Sequence, residues 1–207
     1  LHSVATPPGP AALGAFYQAY YANADYGAKQ EKKIARARGR LQRLKAAVQG
    51  RRFLDVGCNL GFAAEAARQE GFAAHGIEID EAAVAAGQRL FPAIDLKCMS
   101  VEDLAATGAK FDLVWCTEVL EHAIDFRSFA NALATLVGDG GAVFLTTPDA
   151  GHWRRGGFAT WDEVKPPEHL QWFEARHLRQ LFAPLGFEVQ FWPALKPSLR
   201  MLARRTG

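Results

Sequence analysis

Long apolar runs are missing from this chain. No stretch reaches the ~18 consecutive apolar residues needed to span a bilayer, so a transmembrane helix is not expected. The opening LHSVATPPGP lacks the charged-then-apolar layout of a secretory leader, and the cytoplasm is the expected compartment. Cysteine is scarce. Cys58, Cys98 and Cys116 form no C-x-x-C pair and each falls at or near an expected strand end, so they read as reduced small hydrophobes. Strong net charge is absent too, at +2, and there is no internal repeat or low-complexity tract. What remains is a 207-residue chain with 49% apolar residues, enough for one sizeable core and a single domain spanning residues 1–207.

The remaining pattern alternates. Strands are expected at 52–57, 73–79, 94–98, 111–116 and 141–146, with helices near 61–70, 80–90 and 125–137. Ile34, Ala37, Leu41, Leu44 and Val48 recur at helical spacing after an irregular start, so about 12–48 reads as one or two leading helices. Residues 148–172 are irregular and rich in Trp, Gly and Pro, a length at which a loop carries function; they read as a substrate lid. A closing helix over 174–185 stops before Gly186, and FEVQFW and LRMLARR would form an edge pair. The class is α/β, a doubly wound sheet with helices on both faces.

The most informative segment is FLDVGCNLG, residues 53–61, with Glu78 following in HGIEID. An apolar strand that breaks into a small-residue turn and then a helix lets backbone amides approach a ligand, and a carboxylate ending the next strand can grip two ribose hydroxyls. This points to a nucleoside cofactor. A dinucleotide fingerprint would require glycine at positions 59 and 62, where the chain has Asn59 and Phe62. A nicotinamide dehydrogenase is thereby disfavoured.

The spacing Gly57-x-Asn59-x-Gly61 resembles the first motif of the class I S-adenosylmethionine (SAM) dependent methyltransferases, acidic-x-Gly-x-Gly-x-Gly. Asn59 replaces the middle glycine, but Asn tolerates positive φ. SVEDL resembles that family's adenine-holding segment, and FDLVWCTEVLEHAIDF its fourth strand with the EVLEH signature of bacterial small-molecule methyltransferases. The resemblance runs from Arg51 to the C-terminus and implies a Rossmann-like seven-stranded sheet of order 3-2-1-4-5-7-6 with the last strand antiparallel. It implies SAM as cofactor and S-adenosylhomocysteine as product. The implied cofactor-binding residues are Asp55, Gly57, Cys58, Asn59 and Gly61 in the first motif, and Glu78 on the ribose with Ile79 under the adenine. Val101 and Glu102 would contact the adenine edge, with Asp103 as the fallback carboxylate, and Thr117 ends the fourth strand.

Glu118, Glu121 and His122 stand at i, i+3 and i+4, so a helical turn would put all three on one face. If the acceptor is a hydroxyl, a neutral imidazole can take its proton, which makes His122 the expected base, Glu121 or Glu118 its orienter, and His169 in PPEHLQWF a second candidate. No resident metal is assigned. The alternative is a divalent cation on Glu118, Glu121, His122 and His169, a set similar to that of small-RNA 2′-O-methyltransferases.

Ten of the 24 Lys and Arg residues lie between Lys29 and Arg52, opposed there by Glu31 alone. A solvated helix face is the ordinary reading; RNA, anionic lipid or a phosphorylated substrate, with Arg154 and Arg155 helping locally, is the less favoured one. Tyr17, Tyr20, Tyr21 and Tyr26 precede this stretch, and in the family residues 1–50 would fold over the cofactor pocket. The expected activity is methyl transfer to a small or conjugated metabolite, at oxygen; transfer to carbon or nitrogen and a catalytically idle binding module are the alternatives. Acceptor, oligomeric state and the presence of a segment upstream of Leu1 are left open.

Overall fold

The structure, a computed structural model, describes residues 1–9, 12–13, 16, 30–152, 157–158, 161–194 and 197–206. Among these, seven strands build one mixed sheet: β2 (Arg52–Val56), β3 (Ala73–Glu78), β4 (Asp95–Cys98), β5 (Phe111–Thr117), β6 (Val137–Pro148), β8 (Phe187–Phe191) and β9 (Ser198–Arg205). Their spatial order is β4-β3-β2-β5-β6-β9-β8, which numbered within this sheet is 3-2-1-4-5-7-6. β9 runs antiparallel to both neighbours, as expected.

β2 and β5 are central because both their faces are apolar. In β2 Phe53 and Leu54 are wholly buried on opposite faces, and in β5 Leu113 and Trp115 oppose Val114 and Cys116. Such continuous burial is what a parallel sheet covered on both sides requires, and each large side chain contributes about 1.5–3 kcal/mol by leaving water. One core contains Phe53, Trp115 and Phe144 under α1 (Gln30–Leu44), α2 (Phe62–Gln69) and α3 (Glu81–Leu90). The other contains Leu54, Cys116 and Met201 under α4 (Val101–Ala106), α5 (Phe126–Leu136) and α6 (Ala175–Phe182).

Helix starts follow local chemistry. Asp80 accepts from the Ala82 and Ala83 amides, Ser100 from Asp103, and Asp125 from Arg127 and Ser128, each satisfying N–H groups the helix cannot. The basic helix α1 buries Ala37, Leu41 and Leu44, ends at Leu44 rather than near 48, and turns part of its charge onto its neighbour: Arg38 pairs with Glu70 at 3.0 Å and Lys33 Nζ lies 5.0 Å from the Phe62 ring centroid.

Two expectations are revised. β6 begins at Val137, four residues before 141, because Gly138, Gly140 and Gly141 let the chain pass from α5 straight into pairing with Phe111; a Cβ at Gly141 would meet Asp112 O at 2.9 Å. The chain start is not irregular: β1 (His2–Ser3) pairs antiparallel with β7 (Gln171–Trp172) inside the expected lid. Glu102 and Asp103 of SVEDL stand in the first turn of α4. Tyr17, Tyr20, Tyr21, Tyr26, Arg154 and Arg155 lie outside the described residues. No helix among the described residues is long and apolar enough to cross a membrane.

Candidate active site

The turn between β2 and α2 is held left-handed at alternate positions: φ is +69° at Gly57, +49° at Asn59 and +83° at Gly61. Gly57 also has no room for a side chain, since a Cβ there would lie 2.6 Å from Val119 Cγ2. The amides of Gly57 and Cys58 both donate to Ile77 O, at 2.9 and 3.0 Å, which pins the turn to β3. Asn59 adopts the positive φ its residue type allows, and its Oδ1 accepts from Leu60 N at 2.8 Å.

Glu78, at the end of β3, is nearly buried and accepts three backbone amides: Asn59 N on Oε2 at 3.0 Å, and Ile79 N and Asp80 N on Oε1 at 2.7 and 3.3 Å. Below it Asp55 is buried and accepts from the Ala64 amide; burial first, and the Glu78 charge second, push its pKa up to about 8. Burial also drives the Cys58 thiol well upward, so its role is in the turn backbone and in packing.

These residues open onto a cavity of about 1210 Å³. Gly57, Asn59, Glu78, Ile79, Val101 and Glu102 line one half. Ile79 is 65% exposed, an apolar side chain left at the cavity wall with room for a flat ring against it. Cys98 joins this wall as a free, exposed thiol. Asp55, Cys58 and Gly61 lie beneath the wall rather than in it, and Thr117 is not a lining residue: its Oγ1 accepts from the Trp115 indole at 3.2 Å. Asp103 is bound to the Ser100 hydroxyl at 2.7 Å as part of the α4 cap.

The other half is built by Glu118, Glu121, His122, Glu163, Glu168 and His169. The expected α-helical turn is instead a 3-10 turn, Leu120–His122, preceded by Glu118 at φ +56°. That conformation sends the Glu118 carboxylate to the Thr146 hydroxyl, at 2.6 Å, rather than toward His122. Ligand atoms of Glu121, His122 and His169 come within 4.8 Å of one another, and the two imidazole rings stand edge to face at 5.0 Å. His169, distant in sequence, is therefore at the site.

Glu121 is fully buried with no hydrogen bond of good geometry to either carboxylate oxygen; burial, and then the Glu118 charge, raise its pKa well above the carboxylate range. Burial lowers the pKa of His122. Neither expected Glu side chain orients His122. Its Nδ1 lies 2.7 Å from Glu168 O, and His169 Nδ1 lies 2.8 Å from Glu163 O. The orienting groups thus include two backbone carbonyls of the 161–170 segment, which the sequence reading missed, and for His122 the backbone of Glu118 as well. A carbonyl carries no residue signature that could have revealed it.

Comparison with known proteins agrees with this architecture. A family model described as a methyltransferase domain matches residues 26–190. Curated relatives include ubiquinone biosynthesis O-methyltransferases of Bordetella avium, 38% identical over 112 residues, and Chromobacterium violaceum, 41% over 108 residues. The matched segments cover 52% and 49% of this chain and 46% of each relative, so the chain spans about half the length of the curated relatives it matches. Among solved structures, the 1,6-didemethyltoxoflavin-N1-methyltransferase of Burkholderia thailandensis with bound S-adenosylhomocysteine aligns with TM-score 0.72 and 16% identity, covering 99% of this chain and 94% of that one. The magnesium protoporphyrin IX methyltransferase of Synechocystis PCC 6803 with bound SAM aligns with TM-score 0.63 and 18% identity, covering 86% and 79%. At such identities the structures establish the fold alone. The family match covers most of the chain, and the protein belongs to the methyltransferase domain family, among the SAM-dependent methyltransferases that its first motif resembles.

Proposed function

We propose that SAM occupies the half of the cavity bounded by the Gly57–Gly61 turn, Glu78 and Ile79, and that the methyl group passes to a hydroxyl oxygen of a small acceptor in the half bounded by His122 and His169. The observation that carries this reading is the opening of both halves into one cavity, with the Glu78 carboxylate in one and the two imidazoles in the other. The acceptor oxygen attacks the methyl carbon, the carbon–sulfur bond breaks, and the sulfonium becomes the neutral thioether of S-adenosylhomocysteine. The chain's part is proximity, orientation and removal of the hydroxyl proton.

His122 suits that last task. Its Nδ1 lies 2.7 Å from Glu168 O, a backbone hydrogen bond to Glu118 also reaches the ring, and burial favours the neutral imidazole, the form that can take a proton. Leu13 on the cavity wall supports a covering role for the leading segment, and the 161–170 segment acts as the acceptor wall. The names of the curated relatives favour oxygen as the accepting atom. Calorimetric titration of SAM and S-adenosylhomocysteine into wild type and Glu78→Ala, with NADH as control, tests the cofactor half. A folded protein that binds neither would remove the reading and leave an idle binding module.

A second reading rests on Glu121. An unpartnered, fully buried carboxylate beside two imidazoles fits a divalent cation, for which Glu121, His122 and His169 would be the ligands. Glu118, bound to Thr146, stands outside that set. A bound cation would supply positive charge that favours the deprotonated acceptor oxygen. Titration of Mg²⁺ or Mn²⁺ with wild type and His169→Ala decides it: equal weak binding by both, with activity indifferent to chelator, eliminates the cation.

A further inference from the structure

A second recess, of about 430 Å³, lies at the carboxyl ends of β6 and β8, where β9 begins. Its walls share no residue with the cofactor cavity. Arg179 of α6 and Arg200 of β9 enter it with His152, and Phe191 and Trp192 supply flat apolar surface. The one acidic lining residue, Asp149, has Oδ1 engaged by the Gly151 amide at 2.9 Å. Among the described residues neither arginine has a carboxylate within ion-pair distance. Arg179 instead lies over the Phe191 ring, 4.8 Å from its centroid. Arg200 gives one N–H to Pro193 O at 3.3 Å, while its Nε is buried with no partner.

A buried N–H without an acceptor carries a desolvation cost, and two guanidinium groups against the single carboxylate of Asp149 leave the described lining net positive. Arg40 of α1, half-buried, adds to that charge: burial, then the Arg200 charge, hold its pKa below the ordinary value. The recess lies at the antiparallel end of the sheet, where β9 separates β6 from β8. Guanidinium groups bind carboxylate or phosphate oxygens through paired N–H donors, and the adjoining rings favour a planar carrier.

We infer that this recess is a binding site for a small oxyanion, a carboxylate or a phosphate, carried on a flat organic body, with Arg179 and Arg200 as its charge partners and Phe191 and Trp192 as its walls. The site is separate from the cofactor cavity and does not depend on the methyl-transfer reading.

Phenyl phosphate and benzoate, titrated into ¹⁵N-labelled protein while the Trp192 indole N–H is followed, test it; inorganic phosphate and phenol are the charge-only and ring-only arms. Trp192→Phe assigns the signal. A saturable shift is expected with one or both ring-borne anions, with about tenfold weaker response to inorganic phosphate or phenol. Comparing phenyl phosphate with benzoate identifies which oxyanion is preferred. Arg179→Gln and Arg200→Gln should each weaken binding about tenfold or more, and saturating S-adenosylhomocysteine should leave it unchanged. Arg179 lies on an exposed face of α6, so its variant keeps the test valid if Arg200→Gln misfolds. Absence of any Trp192 shift, displacement by S-adenosylhomocysteine, or unaltered affinity in both arginine variants overturns the site. Equal affinity for inorganic phosphate and phenyl phosphate overturns the planar carrier.

Discussion

The backbone N–H of Asn59 donates to Glu78 Oε2 at 3.0 Å, so the turn after β2 and the carboxylate at the end of β3 hold one another in place. Ile79 N and Asp80 N fix the other oxygen. Glu78→Ala strands three amides and removes the proposed ribose partner. SAM affinity should fall by about 1–3 kcal/mol, and stability should fall as well. Glu78→Gln keeps an oxygen acceptor and should lie between Ala and wild type. Calorimetry beside denaturant unfolding separates the two effects; a Glu78→Ala protein that binds SAM normally would exclude Glu78 as the ribose ligand.

Gly57 is required twice over, by its φ of +69° and by the 2.6 Å approach of Val119 to any added Cβ. Gly57→Ala should cost about 1–3 kcal/mol of stability through overpacking and a disfavoured backbone. The double variant Gly57→Ala with Val119→Ala should recover the steric part but not the backbone part. Chemical unfolding of the four-protein cycle measures this, and strict additivity would show that Val119 is not the obstacle.

Asp55 gives the protein a pH dependence with a definite sign. An acid normally near 3.9 that sits at about 8 in the fold binds its proton more tightly when folded. Its contribution is complete below the ordinary carboxylate pKa and is lost as pH rises from about 4 toward 8. Melting of the cofactor-free protein should therefore lose this contribution across that window, and Asp55→Asn should flatten the profile there. Parallel profiles for the two proteins would show that Asp55 is ionised in the fold at ordinary cost.

Removing the proposed proton acceptor should slow transfer without weakening cofactor binding. With an acceptor in hand, His122→Asn should lower kcat by roughly 10²–10⁴-fold while leaving the SAM dissociation constant near that of wild type. Steady-state kinetics paired with SAM calorimetry reads both quantities, and an unchanged kcat would transfer the base role away from His122.

β1 ties the chain start to the segment that carries His169. His2 and Ser3 pair with Trp172 and Gln171, the Ser3 hydroxyl donates to Gln171 Oε1 at 2.6 Å, and Val4 N donates to Leu170 O at 2.9 Å. Val4→Pro deletes that last donor and should destabilise the pairing by about 1 kcal/mol. Hydrogen exchange at Leu170 and Gln171 should accelerate while exchange in β2 and β5 stays unchanged; equal protection in variant and wild type would mean that the pairing contributes no local stability.

Much of this molecule was legible residue by residue. The mostly apolar runs of β2 and β5 announce strands covered on both faces, Asp80, Ser100 and Asp125 announce helix starts, and Gly57, Asn59 and Gly61 announce a left-handed turn facing a carboxylate one repeat later. Each of these follows from dihedral preference, side-chain periodicity or a hydrogen bond within a few residues, and the sequence carries such information directly.

The acceptor half was decided elsewhere. The pattern at Glu118, Glu121 and His122 predicted one shared helical face, yet the positive φ of Glu118 and its bond to Thr146 of β6 turn that carboxylate away from His122, leaving Glu121 buried with no hydrogen bond of good geometry to its carboxylate. His169 reaches His122 because β7 is paired by β1 and because Leu170 N donates to Glu121 O at 2.8 Å. Glu163 and Glu168 orient the imidazoles through carbonyls that every residue type possesses. By itself the sequence determined the strands, the helix starts and the cofactor turn, because short-range backbone and periodicity rules specify them. Only the tertiary structure decided which imidazoles meet and what each one faces, because that depends on how a long loop is packed against a distant strand.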